Sequence, residues 1–422
     1  MDTLSFLEQG QNSKKRIKNN ASLHRMQGKK ILIGVSGSIA AYKIPHLVRL
    51  LTKQGAEVKV MMTPAAAEFV SPLVLSTLSG NPVLYKLAEE DQWADHVHLG
   101  RWADAMILAP VSANTLSKMA HGQCDNLLLA VYMSGTCPVW VAPAMDEDMW
   151  HHGATQQNII TLRGFGHNVI DSEYGSLASG LVGFGRMAEP ETIVANLSAY
   201  FIAQLPLRGK KAMVTAGPTH EYIDPVRFIG NASSGKMGIA LADALADAGC
   251  AVDLVLGPSA LRPKNAAVTV HSVVSAADMY EACVALWPSM DIAIKSAAVA
   301  DYTPDTVSTQ KIKKADDALS ISLRKTKDIL KALGQEKKAG QLLIGFALET
   351  NDAEAYALKK LSEKNADMIV LNSLQDEGAG FGYDTNRVTL FSRRGERFES
   401  ALMSKTDIAQ WILQKIIAWE KE

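Results

Sequence analysis

Residues 28–38 read GKKILIGVSGS, and residues 209–219 read GKKAMVTAGPT. Each is a lysine pair, a short apolar run rich in β-branched residues, and a turn built from Gly, Ser, Pro and Thr. A buried parallel strand that feeds a tight βα turn has this composition. After the first comes a helical pattern from Ala40 to Gln54, a stop at Gly55 and a strand from Glu57 to Met62. After the second come Lys236 to Ala248, Gly249, and Ala251 to Leu256. Strand, helix and strand in that spacing form a βαβ unit, with parallel strands and with the turns gathered at their carboxyl ends. Further strands are expected at Ala105–Leu108 and Val139–Val141, and then at Ile292–Ser296, Leu342–Phe346 and Met368–Leu371. The chain thus reads as two α/β domains, residues 28–197 and 209–422, joined through 198–208 where a helix runs out at Leu205-Pro206. Residues 1–27 mix charge and Asn with little periodicity and read as a disordered tail, with Met26 as the expected start of the native chain.

Composition sets the outer limits. The 422 residues carry 43 Lys and Arg against 44 Asp and Glu, and 47% of them are hydrophobic. That describes a soluble globular protein of two or three domains with no broad basic face for nucleic acid or an anionic membrane. Lys14-Lys15-Arg16 reads as part of the solvated tail. Cys124, Cys137, Cys250 and Cys283 form no C-x-x-C pair, so neither a zinc cluster nor a disulfide framework is indicated, and a reducing cytoplasm is expected. No apolar run has the length of a membrane span, and no signal peptide is visible.

The longest polar interruption is TAGPTHEYIDPVRFIGNASSGKMG, Thr215 to Gly238, between two apolar runs. A loop this elaborate usually serves chemistry. Its Gly230 and Gly235-Lys236 imitate a P-loop, but Met237 stands where Ser or Thr would hold Mg²⁺, and the strand lies too far upstream. It reads as a nucleotide or phosphate loop of another lineage, opening a helix near Lys236. In the first domain GVSGSIAAYK, Gly34 to Lys43, offers backbone N–H groups and the Ser36 and Ser38 hydroxyls at a helix start. It lacks G-x-G-x-x-G, and no acidic residue closes the next strand, so a monophosphate such as that of FMN suits it better than NAD. Ala109 to Leu128 and Pro143 to Trp150 put Ser, Asn, Asp and Met on the same sheet edge.

Together GVSGSIAAYK, His96 in DHVHLGRWAD, APVSANT and PAMxxxM resemble the FMN-dependent cysteine decarboxylases. These are flavodoxin-like (HFCD) flavoproteins that include phosphopantothenoylcysteine decarboxylase. The second half resembles phosphopantothenate–cysteine ligase through Thr215–Gly238, SAAVADY (Ser296–Tyr302), KIKK (Lys311–Lys314), GFALET (Gly345–Thr350) and KLSEKNADMIVLN (Lys360–Asn372). The fused order is that of the bifunctional family of coenzyme A biosynthesis, and the resemblance spans about Gly28 to the C-terminus. It implies a flavodoxin-like FMN domain followed by a Rossmann-like ligase domain. The ligase would activate 4′-phosphopantothenate with CTP as an acyl-cytidylate, from which the amine of L-cysteine displaces CMP. The decarboxylase would oxidise the thiol-bearing carbon of the product, lose CO₂ and return the hydride, giving 4′-phosphopantetheine.

The same resemblance implies residue roles. FMN would be held by Gly37, Ser38, Ile39, Thr63, Ser112, Asn114 and Thr115. His96 would be the base or electrostatic partner, and His98, two residues on, would share a strand face with it. Two positions depart from the family. Asp146 replaces the Asn of PAMN, and Ser179 stands where the family has a clamp cysteine; an ionised Asp146 would repel the substrate carboxylate unless protonated or paired. In the ligase, Asn231 would hold the acyl-cytidylate, Lys311, Lys313 and their neighbour Lys314 the triphosphate, and Asp301 the nucleotide or Mg²⁺. Phe346 would cover the cytosine, and Lys360 and Lys364, on one helical face, would approach the phosphates. The family pattern also implies a homo-oligomer, with trimers of the first half and dimers of the second building a dodecamer. Three other readings stand beside this one: a ligase fused to a decayed flavin-binding scaffold, a P-loop kinase, and an NAD-type binding protein that would leave its solution uncoloured.

Overall fold

The computed structural model describes residues 26–85, 88–89, 92–93, 95–313, 320–349, 352–373 and 384–421. The chain divides into two compact units, Met1–Ala203 and Gln204–Glu422. The join expected at 198–208 is shared between them. Residues 198–203 finish the last helix of the first unit, whereas Leu207 is buried in the second core and its N–H donates to Ala248 O at 3.0 Å. The expected tail lies outside the described residues except for Met26 and Gln27.

The first unit holds a six-stranded parallel sheet of β1 (Lys30–Val35), β2 (Glu57–Met62), β3 (Val83–Leu84), β4 (Ala105–Val111), β5 (Val139–Pro143) and β6 (Asn168–Val169). The strand order is β3-β2-β1-β4-β5-β6. Alternate side chains feed two cores. Ile31, Ile33 and Val35 pack with Leu47, Val48 and Leu51 of α1 (Ile44–Lys53), while Leu32, Met106 and Leu108 pack with Leu127, Leu128 and Val131 on the other face. Burial on both faces is why β1 and β4 read as near-continuous apolar runs rather than alternating ones, whereas β2 is interrupted by half-buried Lys59. The helix expected from Ala40 begins instead as a 3-10 turn, Ile39–Lys43, and becomes α-helical at Ile44. Pro45 lies in the first turn of α1 and has no N–H for the carbonyl of Ala41, so the α ladder starts there.

The order reverses at β1, which has β2 on one side and β4 on the other; the crevice outside their carboxyl ends is the switch point where open α/β sheets bind ligands. Past β6 the chain forms an antiparallel hairpin of β7 (Glu173–Ser176) and β8 (Val182–Arg186). Besides α1, the site uses α2 (His96–Trp102), α3 (Ala113–Ala120), α4 (Glu147–His151) and α5 (Pro190–Ala203).

In the second unit the elements that position the site are β9 (Lys211–Ala216), the hairpin β10 (His220–Tyr222) and β11 (Phe228–Gly230), β12 (Ala251–Leu256), β13 (Thr269–Ser272), β14 (Ile292–Lys295), β15 (Leu342–Glu349), β16 (Met368–Ser373), β17 (Val388–Ser392) and β18 (Arg397–Glu399). The main sheet runs β13-β12-β9-β14-β15-β16-β17-β18, parallel as far as β16 and antiparallel over its last two pairings. Its switch point lies between β9 and β14. The helix after the polar loop is α6 (Lys236–Asp247), and α7 (Ala353–Glu363) links β15 to β16.

Candidate active sites

At the first switch point the exits of β1 and β4 are bracketed by one hydroxyl. Ser36 Oγ donates to Pro110 O at 2.8 Å and accepts from Ser112 N at 2.8 Å. Ser36 is almost fully buried, so it spaces the two turns and is spent for a ligand, contrary to the expectation that it offers its hydroxyl. Ser38 caps the 3-10 turn, accepting from Ala40 N at 3.4 Å, and Ser112 caps α3, accepting from Thr115 N at 3.4 Å. Both bonds are long, and both hydroxyls sit at helix starts. A Cβ on Gly37 would lie 2.9 Å from Ala65 Cβ, so a side chain there would fill the cleft between this turn and the exit of β2. Thr63 at that exit is buried, and its Oγ1 has no hydrogen-bond partner among the described residues. An orphaned buried hydroxyl costs about 1–3 kcal/mol unless a ligand satisfies it, so the residues fit a bound polar group such as that of FMN. Thr115 is buried beside Ser112; Ile39 and Asn114 are exposed at the same edge.

His96 is the first residue of α2, not part of a strand. Asp95 caps that helix by accepting from His98 N at 2.8 Å. Residues two apart on a helix point in different directions, so His96 and His98 do not share a face and the expectation that they do is corrected. Asp146 is the N-cap of α4, its Oδ1 accepting from Glu147 N at 2.7 Å. Asn and Asp cap helices about equally well, which gives the physical reason this position accepts either side chain. Ser179 lies exposed between β7 and β8, with Leu181 N donating to its hydroxyl at 3.4 Å. The hairpin is tied to the Asp146 segment at its foot, where Met145 N donates to Gly185 O at 3.0 Å. Gly185 has φ +125, and a Cβ there would come within 2.3 Å of Met145 O, so only glycine allows this approach.

In the second unit the long interruption is not one loop, because β10 and β11 form a hairpin inside it. The cause is Asp224, fully buried in the connecting turn. Its Oδ1 accepts from Val226 N and Arg227 N, both at 2.8 Å, and its Oδ2 from Arg227 Nε at 2.9 Å and Ile312 N at 3.2 Å. Arg227 in turn donates to Ile312 O at 2.9 Å. Both backbone groups of Ile312, between Lys311 and Lys313, are thereby clasped, and those two lysines stand exposed. Lys314 lies outside the described residues. The Arg227 guanidinium holds the Asp224 carboxyl well below its ordinary value near 3.8. A carboxylate depressed in the folded state contributes stability above its ordinary value and loses it as pH falls. Asp224→Asn should therefore lower the melting temperature by a constant amount above about pH 4, and the gap to the parent protein should shrink below it, as thermal melts from pH 6 to 3 would record.

Buried threonines lash the next segment to the exit of β9. Thr215 Oγ1 accepts from Ala297 N at 3.2 Å and Thr219 Oγ1 from Ala300 N at 3.0 Å. Asn231 Nδ2 donates to Ala298 O at 3.1 Å, bringing Asn231 to SAAVADY. Asp301 follows on an exposed turn, five residues beyond Ser296. Among the described residues no three His, Cys, Asp or Glu side chains are grouped to hold a metal, so an ion at Asp301 would rely on phosphate oxygens and water, as Mg²⁺ often does. Gly235 caps α6 at φ +82, and the first N–H of the helix, that of Lys236, reaches Ser234 Oγ at 3.5 Å. Lys360 Nζ donates to Phe346 O at 2.9 Å, joining two expected nucleotide residues. Lys364 is the C-cap of α7, its N–H donating to Lys360 O at 3.1 Å so that it lies one turn beyond Lys360, and its ammonium pairs with Asp328 at 2.9 Å. One residue escaped the sequence reading. Asn372, near the end of β16, keeps a buried Oδ1 without a partner among the described residues; its only signal was its place as the last residue of KLSEKNADMIVLN.

The Flavoprotein family model matches residues 19–201, and the model of the DNA/pantothenate metabolism flavoprotein C-terminal domain matches residues 207–419. A relative from Bacillus subtilis (strain 168), the coenzyme A biosynthesis bifunctional protein CoaBC, is 46% identical over 402 residues, covering 94% of this chain and 98% of its own. The chain belongs to the CoaBC family. The CoaBC protein of Escherichia coli (strain K12) is 41% identical over 397 residues, 93% of this chain and 97% of its own. Another relative, from an unknown prokaryotic organism and named cysteine/cysteine sulfinic acid decarboxylase, is 51% identical over 354 residues, 82% of this chain and 99% of its own. Among solved structures, the C-terminal domain of a CoaBC protein covers 52% of this chain and 99% of its own at 46% identity, with a TM-score of 0.44. CoaBC membership agrees with a flavodoxin-like first unit and a mixed α/β second unit. No helix among the described residues is long and apolar enough to cross a membrane.

Proposed function

We infer that this protein catalyses two consecutive steps of coenzyme A biosynthesis. The second unit joins 4′-phosphopantothenate to L-cysteine at the expense of CTP, and the first decarboxylates the product to 4′-phosphopantetheine. What carries the reading is the likeness to CoaBC proteins across both units, at 46% identity over 94% of the chain. A ligase on a decayed flavin scaffold fits less well, because Thr63 keeps, among the described residues, a buried unpaired hydroxyl at the sheet edge where FMN would bind.

FMN, when bound, supplies a two-electron sink for the thiol-bearing carbon of the substrate. The turn from Gly37, with Thr63, Ser112 and Thr115, would hold it. His96 would move the proton, since imidazole exchanges protons near neutral pH. Asp146 and the Ser179 hairpin would orient the carboxylate end of the substrate. In the ligase, Lys311, Lys313, Lys360 and Lys364 would spread the triphosphate charge, with Mg²⁺ at Asp301. Cysteine's amine then attacks the acyl carbon, the C–N bond forms as the C–O bond to CMP breaks, and the amine proton leaves to solvent. Exposed Ile39, Tyr42, Phe69 and Leu73 around the first site support a homo-oligomer, and a dodecamer is the assembly to seek by light scattering. A cytoplasmic location goes with this pathway.

The test is CO₂ release from purified protein given phosphopantothenate, cysteine and CTP together. Release that needs all three supports the reading. The relative named for cysteine and cysteine sulfinic acid makes those two compounds the controls, and CO₂ from either alone would overturn it. The departures at Asp146 and Ser179 give a second prediction. Asp146→Asn should leave the melting temperature within about 2 °C, since the cap is retained, yet slow decarboxylation. Adding Ser179→Cys should recover turnover; a double variant no faster than the single one would end the idea that the two departures compensate.

A further inference from the structure

Lys43 ends the 3-10 turn that begins beside Gly37 and Ser38, and its side chain is only 6% exposed. Its Nζ donates to Met187 O and to Glu189 Oε1, both at 2.9 Å. The same Glu189 oxygen accepts from Arg186 Nη2 at 2.5 Å, and Glu189 N donates to Glu173 Oε1 at 3.1 Å. Glu173 opens β7 and Arg186 closes β8, so Glu189 gathers both feet of the hairpin whose far end carries Ser179. Two further bonds fix that foot, Gly185 N to Ser172 Oγ at 3.1 Å and Met145 N to Gly185 O at 3.0 Å. The Lys43 hydrogen bond holds the Glu189 carboxyl below its ordinary value, as expected for a carboxylate kept charged beside a cation.

We infer that Lys43 and Glu189 are positioning residues for decarboxylation, their ion pair setting the Ser179 hairpin relative to the turn that takes the cofactor phosphate. This rests on reading the first unit as an FMN-dependent decarboxylase. The argument is one of leverage. An arm of four to five residues is about 15 Å long, so a tilt of roughly 10° at the foot moves its end by about 2.5 Å, enough to break a hydrogen bond there. A fault at Lys43 or Glu189 therefore reaches the substrate without touching it. It also makes filling of the turn and ordering of the hairpin one event, since both ends meet on one buried ammonium.

The test uses the full chain with Glu189→Gln, Lys43→Met and the conservative Lys43→Arg. Amide exchange over residues 174–184 is measured with and without FMN, FMN affinity is followed by flavin fluorescence, and KM and kcat are measured for phosphopantothenoylcysteine. In Glu189→Gln, hairpin exchange should quicken about tenfold and KM rise about tenfold, with FMN affinity within about threefold. The protection that FMN confers on the parent hairpin should vanish, and Lys43→Arg should retain most of it. Unchanged hairpin exchange in Glu189→Gln, or KM and FMN affinity lost in equal measure, would overturn the inference. If Lys43→Met does not fold, Glu189→Gln alone decides, because its carboxylate is one-third exposed and glutamine keeps its shape. If the parent protein neither binds FMN nor turns over substrate, the proposed function fails, while the exchange comparison without FMN still decides whether the pair holds the hairpin.

Discussion

His96→Asn is expected to lower CO₂ release from phosphopantothenoylcysteine by about 10³-fold while CTP is still converted to CMP at the parent rate in the presence of 4′-phosphopantothenate and cysteine. Proton transfer by a placed side chain is worth about 10²–10⁴-fold, and Asn keeps much of the size and polarity of His but cannot carry the proton. His96 opens a helix of the first unit, and every residue assigned to the ligase lies in the second compact unit. Measuring both rates on one preparation separates chemistry from folding. Equal loss of both activities, with the circular dichroism spectrum intact, would refute the assignment.

Asn231→Asp is expected to reduce formation of phosphopantothenoylcysteine by roughly 10²–10³-fold and pyrophosphate release by much less. The amide nitrogen now donates to Ala298 O at 3.1 Å, and a carboxylate would instead turn an oxygen toward that carbonyl. It would also face the anionic acyl-cytidylate, and losing one placed donor for developing charge costs about 10²–10³-fold. The lysines at 311 and 313 are held through Ile312 by Asp224 and Arg227, which the substitution leaves alone. Activation should therefore outlast transfer, as pyrophosphate and product assays on the same samples would show. If both fall together, Asn231 serves CTP binding.

Much of the fold was legible because strand and turn signals are local. The runs at 31–35, 57–62, 211–216 and 251–256 are mostly apolar because most of each strand is covered on both faces, with Glu57, Lys59, Lys211 and Asp253 as the charged exceptions, and they pair in parallel as expected. Local rules also account for the partial misses. Pro45 shifted the start of α1, and Asp224 turned an expected loop into a hairpin by capturing the N–H groups of Val226 and Arg227, a turn chemistry that periodicity does not reveal. His96 was placed on a strand because its neighbours alternate over too few residues to separate the two periods.

By itself the sequence determined the two βαβ units, their glycine turns, the residue types at each sheet edge and, through the resemblance, the chemistry they serve. Only the tertiary structure decided which of those residues meet. Lys43 finds Glu189 across 146 positions and Asp224 finds Ile312 across 88, distances over which no residue spacing carries information. Ser36 was spent on Pro110 and Ser112, while among the described residues Thr63 and Asn372 keep buried oxygens unpaired. The reason is physical. Side-chain period and turn preference are properties of neighbouring backbone, whereas a buried polar atom's partner depends on strand order, which arises only when the whole sheet closes over its core.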